Sequence, residues 1–199
     1  MIATFLTWLP YTNLSFAETK EKFAQITVPN RPAQVNFEEK QLAQKIVSGL
    51  DLKNGYLHLE TFVSELGLPI ICEFAWRTPG EHMLLNHSKS YGIDIFSSLI
   101  KIVTGKKVDL IPEYGIKAVG DMFLPMPLTT GVVKEITTFS ELLKFEGVIG
   151  GDVKYSIGDY IESKRQYTSN SGWIQVEGDN ADHVLKRMIN IYQNFKLII

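Results

Sequence analysis

Two stretches of this chain read as the strands of one β-hairpin. The first is Gly55-Tyr-Leu-His-Leu-Glu-Thr-Phe-Val63, and the second is Ile70-Ile-Cys-Glu-Phe-Ala-Trp-Arg77. Both are rich in aromatic and branched side chains, and a short Gly67-Leu68-Pro69 link separates them. A turn centred on Leu66-Gly67 predicts an antiparallel register that opposes Phe62 with Ile71, Glu60 with Glu73, His58 with Ala75, and Tyr56 with Arg77. Successive side chains alternate across a strand. The other face therefore carries Thr61/Cys72, Leu59/Phe74 and Leu57/Trp76, which is core material. One face is apolar, and the other holds two carboxylates, an imidazole and a guanidinium.

Opposing Glu60 to Glu73 has a cost. Directly opposed residues have Cβ atoms roughly 4.5–5.5 Å apart, and like charges there destabilise a sheet. Coulomb repulsion at about 5 Å is roughly 1 kcal/mol in water and about 3 at an effective dielectric of 20. Arg77 lies four residues beyond Glu73, roughly 13 Å along an extended strand, and is a poor neutraliser at that distance. A hard divalent cation is a better one, since magnesium takes one or two protein carboxylates and completes its shell with water and phosphate oxygens. The competing readings are a solvated acidic edge, or a register slipped by one residue so that the carboxylates part.

Composition narrows the alternatives. The chain has 199 residues, 45% hydrophobic and 21% charged, ordinary values for a globular protein of one domain or slightly more. A net charge of −2 offers no electrostatic case for nucleic acid or an anionic membrane. The single cysteine, Cys72, excludes an intrachain disulfide and a cysteine-rich zinc site, and its place on the apolar face predicts a buried, inert thiol. Met1 to Ala17 is apolar but lacks a basic start, and Pro10 interrupts it, so a sheet strand over Ile2–Leu9 is favoured over a signal peptide. No apolar run approaches 18 residues, so no membrane helix is expected.

Along the chain, Asn36-Phe-Glu-Glu39 reads as a capping box ahead of a helix with an apolar stripe of Leu42, Ala43, Ile46, Val47 and Leu50. The order helix then hairpin fits a helix packed on an antiparallel sheet. A short helix is expected over Glu81–Ser90. His82 and His87 along it are five apart, the wrong spacing for a shared metal. Asp94 caps another helix carrying Ile95, Phe96, Leu99, Ile100, Ile102 and Val103, closed by Gly105. From Asp109 the texture turns to short strands: 114–124, 131–136, 147–161 broken at Gly150-Gly151 and Gly158-Asp159, and 172–177. Thr138-Phe-Ser-Glu141 is a second capping box, and Asp179 caps a final helix. The expected class is α+β, with an antiparallel sheet and packed helices over 1–108 and a small α+β subdomain over 109–199. Gly147-Val-Ile-Gly150-Gly-Asp152 lacks the Lys-Ser/Thr ending of a phosphate loop and reads as a turn. No Gly-x-Ser-x-Gly elbow occurs.

The hairpin motif also resembles a known family. The run Gly55-Tyr-Leu-His-Leu-Glu60, a turn, then Cys72-Glu73-Phe-Ala75-Trp-Arg77-Thr-Pro79-Gly80 is similar to the metal-binding hairpin of ATP-grasp ligases, where a His-x-Glu strand precedes a Glu-x-Asn/Ala-x-Arg strand and a glycine-containing loop. Tyr91-Gly-Ile-Asp94, the helix after it and Thr104-Gly105 resemble that family's next helix and its terminator. The resemblance covers residues 30–199 and lies nearest the L-amino-acid-ligase branch. It implies that Glu60 and Glu73 bind Mg2+ (or Mn2+) between ATP phosphates, and that Arg77 faces those phosphates or an acyl-phosphate. Ala75 stands where many members carry an asparagine ligand, which implies a thinner metal shell or one completed by water.

The family grips nucleotide with lysines and a glycine-rich flap that precede the metal hairpin. Lys20, Lys22 and Arg31 match no such motif, so the chain is expected to be the C-terminal half of a larger ligase. Two functions follow. One is an ATP-dependent carboxylate–amine ligase acting on a small carboxylate or amino acid, cytoplasmic, completed by a homodimer or a partner chain that carries the missing lobe. The other is a catalytically incomplete remnant that serves as a binding or partner-complementing module.

Overall fold

In a computed structural model the described residues are 5, 7–11, 23–29, 33–80, 82–108, 117–162 and 169–199. In chain order the elements are β1 (Thr7–Trp8), β2 (Ala24–Thr27), α1 (Ala33–Gly49), β3 (His58–Val63), β4 (Pro69–Ala75), α2 (Met83–Tyr91), α3 (Ile95–Val103), β5 (Ala118–Phe123), β6 (Gly131–Val132), β7 (Glu135–Ile136), α4 (Phe139–Leu142), β8 (Val148–Val153), β9 (Tyr160–Ile161), β10 (Gly172–Gly178), α5 (Ala181–Asn194) and β11 (Leu197–Ile198). The class is α+β, as expected. The chain divides into two compact units, Met1–Leu6 with Pro29–Ile116, and Thr7–Val28 with Lys117–Ile199. Residues 7–28 thus group with the second unit, where the sequence reading had placed them in the first.

The first unit is built on the β3–β4 hairpin, against which α1 packs. That helix begins at Ala33, so Asn36 lies inside it and is not its cap. Its inward stripe is Leu42, Ala43, Ile46 and Val47, whereas Leu50 faces solvent beyond the last turn. Gly92 ends α2 in the left-handed conformation at φ 64°, which glycine adopts without steric cost. Asp94 caps α3 as expected, accepting from the Ser97 amide at 3.0 Å. Of the apolar stripe on α3 only Ile95 is fully buried, and Val103 is 80% exposed.

The second unit is an antiparallel sheet of order β1-β2-β5-β10-β8. Helix α5 lays Val184, Met188 and Ile191 onto Ala24, Ile26, Met122, Ile174 and Val176, all within one buried cluster. Gly120 allows this contact, because a Cβ there would strike the Gln25 carbonyl and the Met188 side chain. In register across the sheet lie Gln25, Asp121 and Gln175, all buried, with Gln25 Nε2 donating to Asp121 Oδ1 at 2.8 Å. Thr138 and Glu141 form the expected capping box of α4. Three details differ from the sequence reading. The cap of α5 is Asn180, not Asp179. Gly150-Gly151 runs within β8 and does not interrupt it, while the expected strand over 131–136 is split into β6 and β7. Residues 1–4 and 109–116, where parts of two expected strands fall, lie outside the described residues. Among the described residues no helix is long and apolar enough to cross a membrane.

Candidate metal centre

Strands β3 and β4 pair antiparallel, with His58 opposite Ala75, Leu59 opposite Phe74 and Glu60 opposite Glu73. This is the register expected from the sequence, and it sets the two carboxylates face to face. Toward the turn the pairing departs from expectation. Thr61 opposes Ile71 and Phe62 opposes Ile70, because the ladder slips by one residue just beyond Glu60. The cause is loop length. The turn closes over Ser64–Leu68, with the Ser64 amide donating to the Leu68 carbonyl and Gly67 at φ 76°. That odd-numbered loop leaves one residue surplus on β4, and Cys72 takes it up as a bulge. The slip lies on the turn side of the acidic pair and spares it.

The bulge also corrects the reading of Cys72, which is exposed and not buried. So is the face expected to be core, with Phe74 46% and Trp76 42% exposed. Strand β4 ends at Ala75, so Tyr56 and Arg77 do not pair in the ladder. Beyond Ala75 the chain bends, which overturns the estimate that Arg77 stands too far from Glu73. Arg77 Nη2 lies 3.9 Å from Glu73 Oε1, while Nη1 donates to the Thr78 carbonyl at 2.8 Å. Both side chains of that ion pair are more than half exposed, so it is a loose surface contact that only partly offsets the repulsion.

The residue missing from the expected site is His58. Its Nε2 lies 3.0 Å from Glu60 Oε1, and the residue is only 9% exposed. One ligand atom each from His58, Glu60 and Glu73 lie within 4.8 Å of one another, a set able to hold a metal ion. The signal was present in the sequence as His-x-Glu, which puts both side chains on one face of a strand. A lone histidine beside a core is more often structural, and the spacing alone does not separate the two cases.

Behind the hairpin, Tyr56 Oη and His87 Nδ1 are hydrogen-bonded at 3.0 Å. The Phe5 ring stacks on His87 at 5.3 Å and meets Tyr91 edge-on at 5.1 Å. Burial, with a smaller contribution from His58, pushes the His87 imidazole down to about 3. Burial likewise raises the Tyr56 phenol, with Tyr91 adding to it. These groups are neutral over the ordinary pH range and hold α2 to the foot of β3. Gly55 is needed in the same corner, because a Cβ there would enter the indole ring of Trp76.

No protein-family model matches the sequence. The chain is 22% identical over 157 residues to the L-arginine-specific L-amino acid ligase of Bacillus subtilis, a match covering 79% of this chain and 38% of that protein. In three dimensions it is similar to the L-amino acid ligase of Bacillus licheniformis, with TM-score 0.69, 15% identity, and 88% of this chain and 43% of that one covered. The biotin carboxylase domain of the Hydrogenobacter thermophilus 2-oxoglutarate carboxylase, solved with MgADP and bicarbonate, aligns at TM-score 0.60 and 15% identity, covering 88% of this chain and 39% of that one. These proteins are ATP-grasp ligases, and this chain has the fold of part of them. Within that class its sequence is similar to an L-amino acid ligase. The chain spans about two fifths of the length of the proteins it matches.

Proposed function

We propose that this chain is the metal- and phosphate-binding part of an ATP-dependent carboxylate–amine ligase. The observation that supports it is the register pairing Glu60 with Glu73, whose carboxylate oxygens approach closely enough to share one divalent cation. A bound Mg2+ or Mn2+ would supply charge neutralisation for the ATP phosphates and the developing charge of the transferring phosphoryl group. Glu60 and Glu73 would hold that ion from opposite strands, each through one oxygen. Arg77, already turned back toward Glu73, would present its guanidinium to a phosphate or acyl-phosphate oxygen, where its fork of donors suits bidentate contact. In the overall reaction the substrate carboxylate takes the γ-phosphoryl group and ADP leaves. An amine then attacks the acyl carbon, an amide bond forms, and phosphate departs. The similarity to L-amino acid ligases favours an amino acid as the carboxylate partner, in a cytoplasmic setting.

The alternative is a binding module that turns over nothing. The exposed apolar side chains of Phe74 and Trp76 favour it, since they offer a docking surface independent of catalysis. Titration with Mn2+ in the presence and absence of ATP tests the first reading. Tight Mn2+ binding lost in both Glu60→Gln and Glu73→Gln is the expected outcome. Binding identical in the parent and both variants would remove the metal assignment.

A further inference from the structure

Resting on the metal reading above, we propose that His58 is a third ligand of the ion held by Glu60 and Glu73, and that its nitrogen biases the site toward Mn2+, Co2+ or Zn2+ over Mg2+. The geometry supports this on three counts. Nε2 of His58 and Oε1 of Glu60 are 3.0 Å apart, which matches the edge of an octahedron with metal–ligand bonds of about 2.1 Å. All three ligand atoms lie within 4.8 Å of one another, close to the roughly 4.2 Å across such an octahedron, so small rotamer adjustments bring them onto one ion. His58 also stands directly opposite Ala75, a side chain that offers no competing ligand beside the imidazole.

Burial and chemistry add to the geometry. His58 is 9% exposed, so its ring is held in place before any ion arrives, whereas Glu73 is exposed and free to adjust. Magnesium prefers oxygen donors and usually keeps several waters, while an imidazole suits first-row transition metals, whose affinities for a nitrogen-containing site rise from Mn2+ toward Zn2+. Replacing one oxygen or water ligand with imidazole therefore changes metal preference without altering the two-carboxylate frame.

The test is spectroscopic and thermodynamic. Mn2+ bound to the full chain should show a nitrogen hyperfine coupling by pulsed EPR, absent in His58→Gln, with both proteins checked for folding by circular dichroism. His58→Asn serves as the second variant should the first unfold. The ratio of Mn2+ to Mg2+ affinity should fall in the variants by at least the roughly 10–100-fold typical of losing a metal-site partner. A parent lacking the nitrogen coupling, with His58→Gln matching it in affinity ratio while Glu60→Gln and Glu73→Gln abolish binding, overturns the role of His58 and leaves the carboxylate reading intact. Retention of the coupling in both His58 variants assigns it to another histidine and equally overturns the proposal. A parent that binds no Mn2+, or Glu variants that bind it unchanged, overturns both.

Discussion

The two units use carboxylates in strands in opposite ways. In the second unit Asp121 is fully buried in the middle of the sheet, and its cross-strand neighbour Gln25 donates an amide hydrogen to it. In the first unit Glu60 meets Glu73 across the ladder in a partly solvated position, with His58 Nε2 3.0 Å from Glu60 on the same strand and a loose contact from Arg77 to Glu73. The carboxylate that serves the fold has a donor, not a second acid, as its cross-strand neighbour. The pair Glu60 and Glu73 instead sets two like charges opposite each other, a repulsion that the proposed cation would offset. The apolar residues divide in parallel: Ile174, Val176 and Met188 are wholly buried, while Phe74 and Trp76 on the hairpin are not. Packing energy is concentrated in the second unit, and the candidate chemistry in the first.

The largest effect that would sharpen this contrast is a pH response in the first unit. His87 is held near 3 when folded, against 6.5 when free. The unfolded chain takes up a proton first, so its contribution to stability is full above about pH 6.5 and declines as pH falls toward 3. The integrated loss has an upper bound on the order of 5 kcal/mol. His87→Gln should flatten the acid limb of melting temperature against pH relative to the parent; matching curves would mean that burial, with the smaller contribution of His58, does not keep this ring neutral.

Next, Ile174→Ala should cost about 2–5 kcal/mol in urea unfolding, because it empties space beneath α5. Asp121→Ala should cost about 1–3 kcal/mol by leaving the Gln25 amide without its acceptor. A loss below that range would break the idea that Asp121 serves the fold. Glu73→Gln should do the reverse, raising stability by roughly 0.2–1 kcal/mol as like-charge opposition is relieved, while metal binding disappears. Phe74→Ala should change stability least, within about 0.5 kcal/mol, since its ring is nearly half exposed.

Much of the hairpin was legible because its two-residue period is self-consistent over several pairs. Alternation placed His58, Glu60, Glu73 and Ala75 on one face, and the observed ladder preserves each of those oppositions. The bulge at Cys72 was not legible, because it arises from how the Ser64–Leu68 loop closes, not from any preference of cysteine itself. Arg77 was misplaced for a related reason: extrapolating an extended strand past Ala75 ignored where pairing stops. Capping was read correctly at Asp94 and Thr138, where the side-chain partner lies three residues away, and missed by one at Asp179, because Asn180 also carries a capping side chain and accepts from the His183 amide. The start of α1 was misjudged because a helix can extend upstream of a residue that would make a good cap.

The sequence alone determined which side chains of the hairpin share a face around the acidic pair and that Asp94 and Thr138 cap helices, since these depend on contacts a few residues apart. Only the tertiary structure decided what those faces meet. Gln25 and Asp121, 96 residues apart in the chain, become partners through sheet order, and Arg77 comes to 3.9 Å from Glu73 only because the chain bends beyond Ala75. Local periodicity carries no information about such pairings, because they are fixed by the burial and packing of the folded chain as a whole.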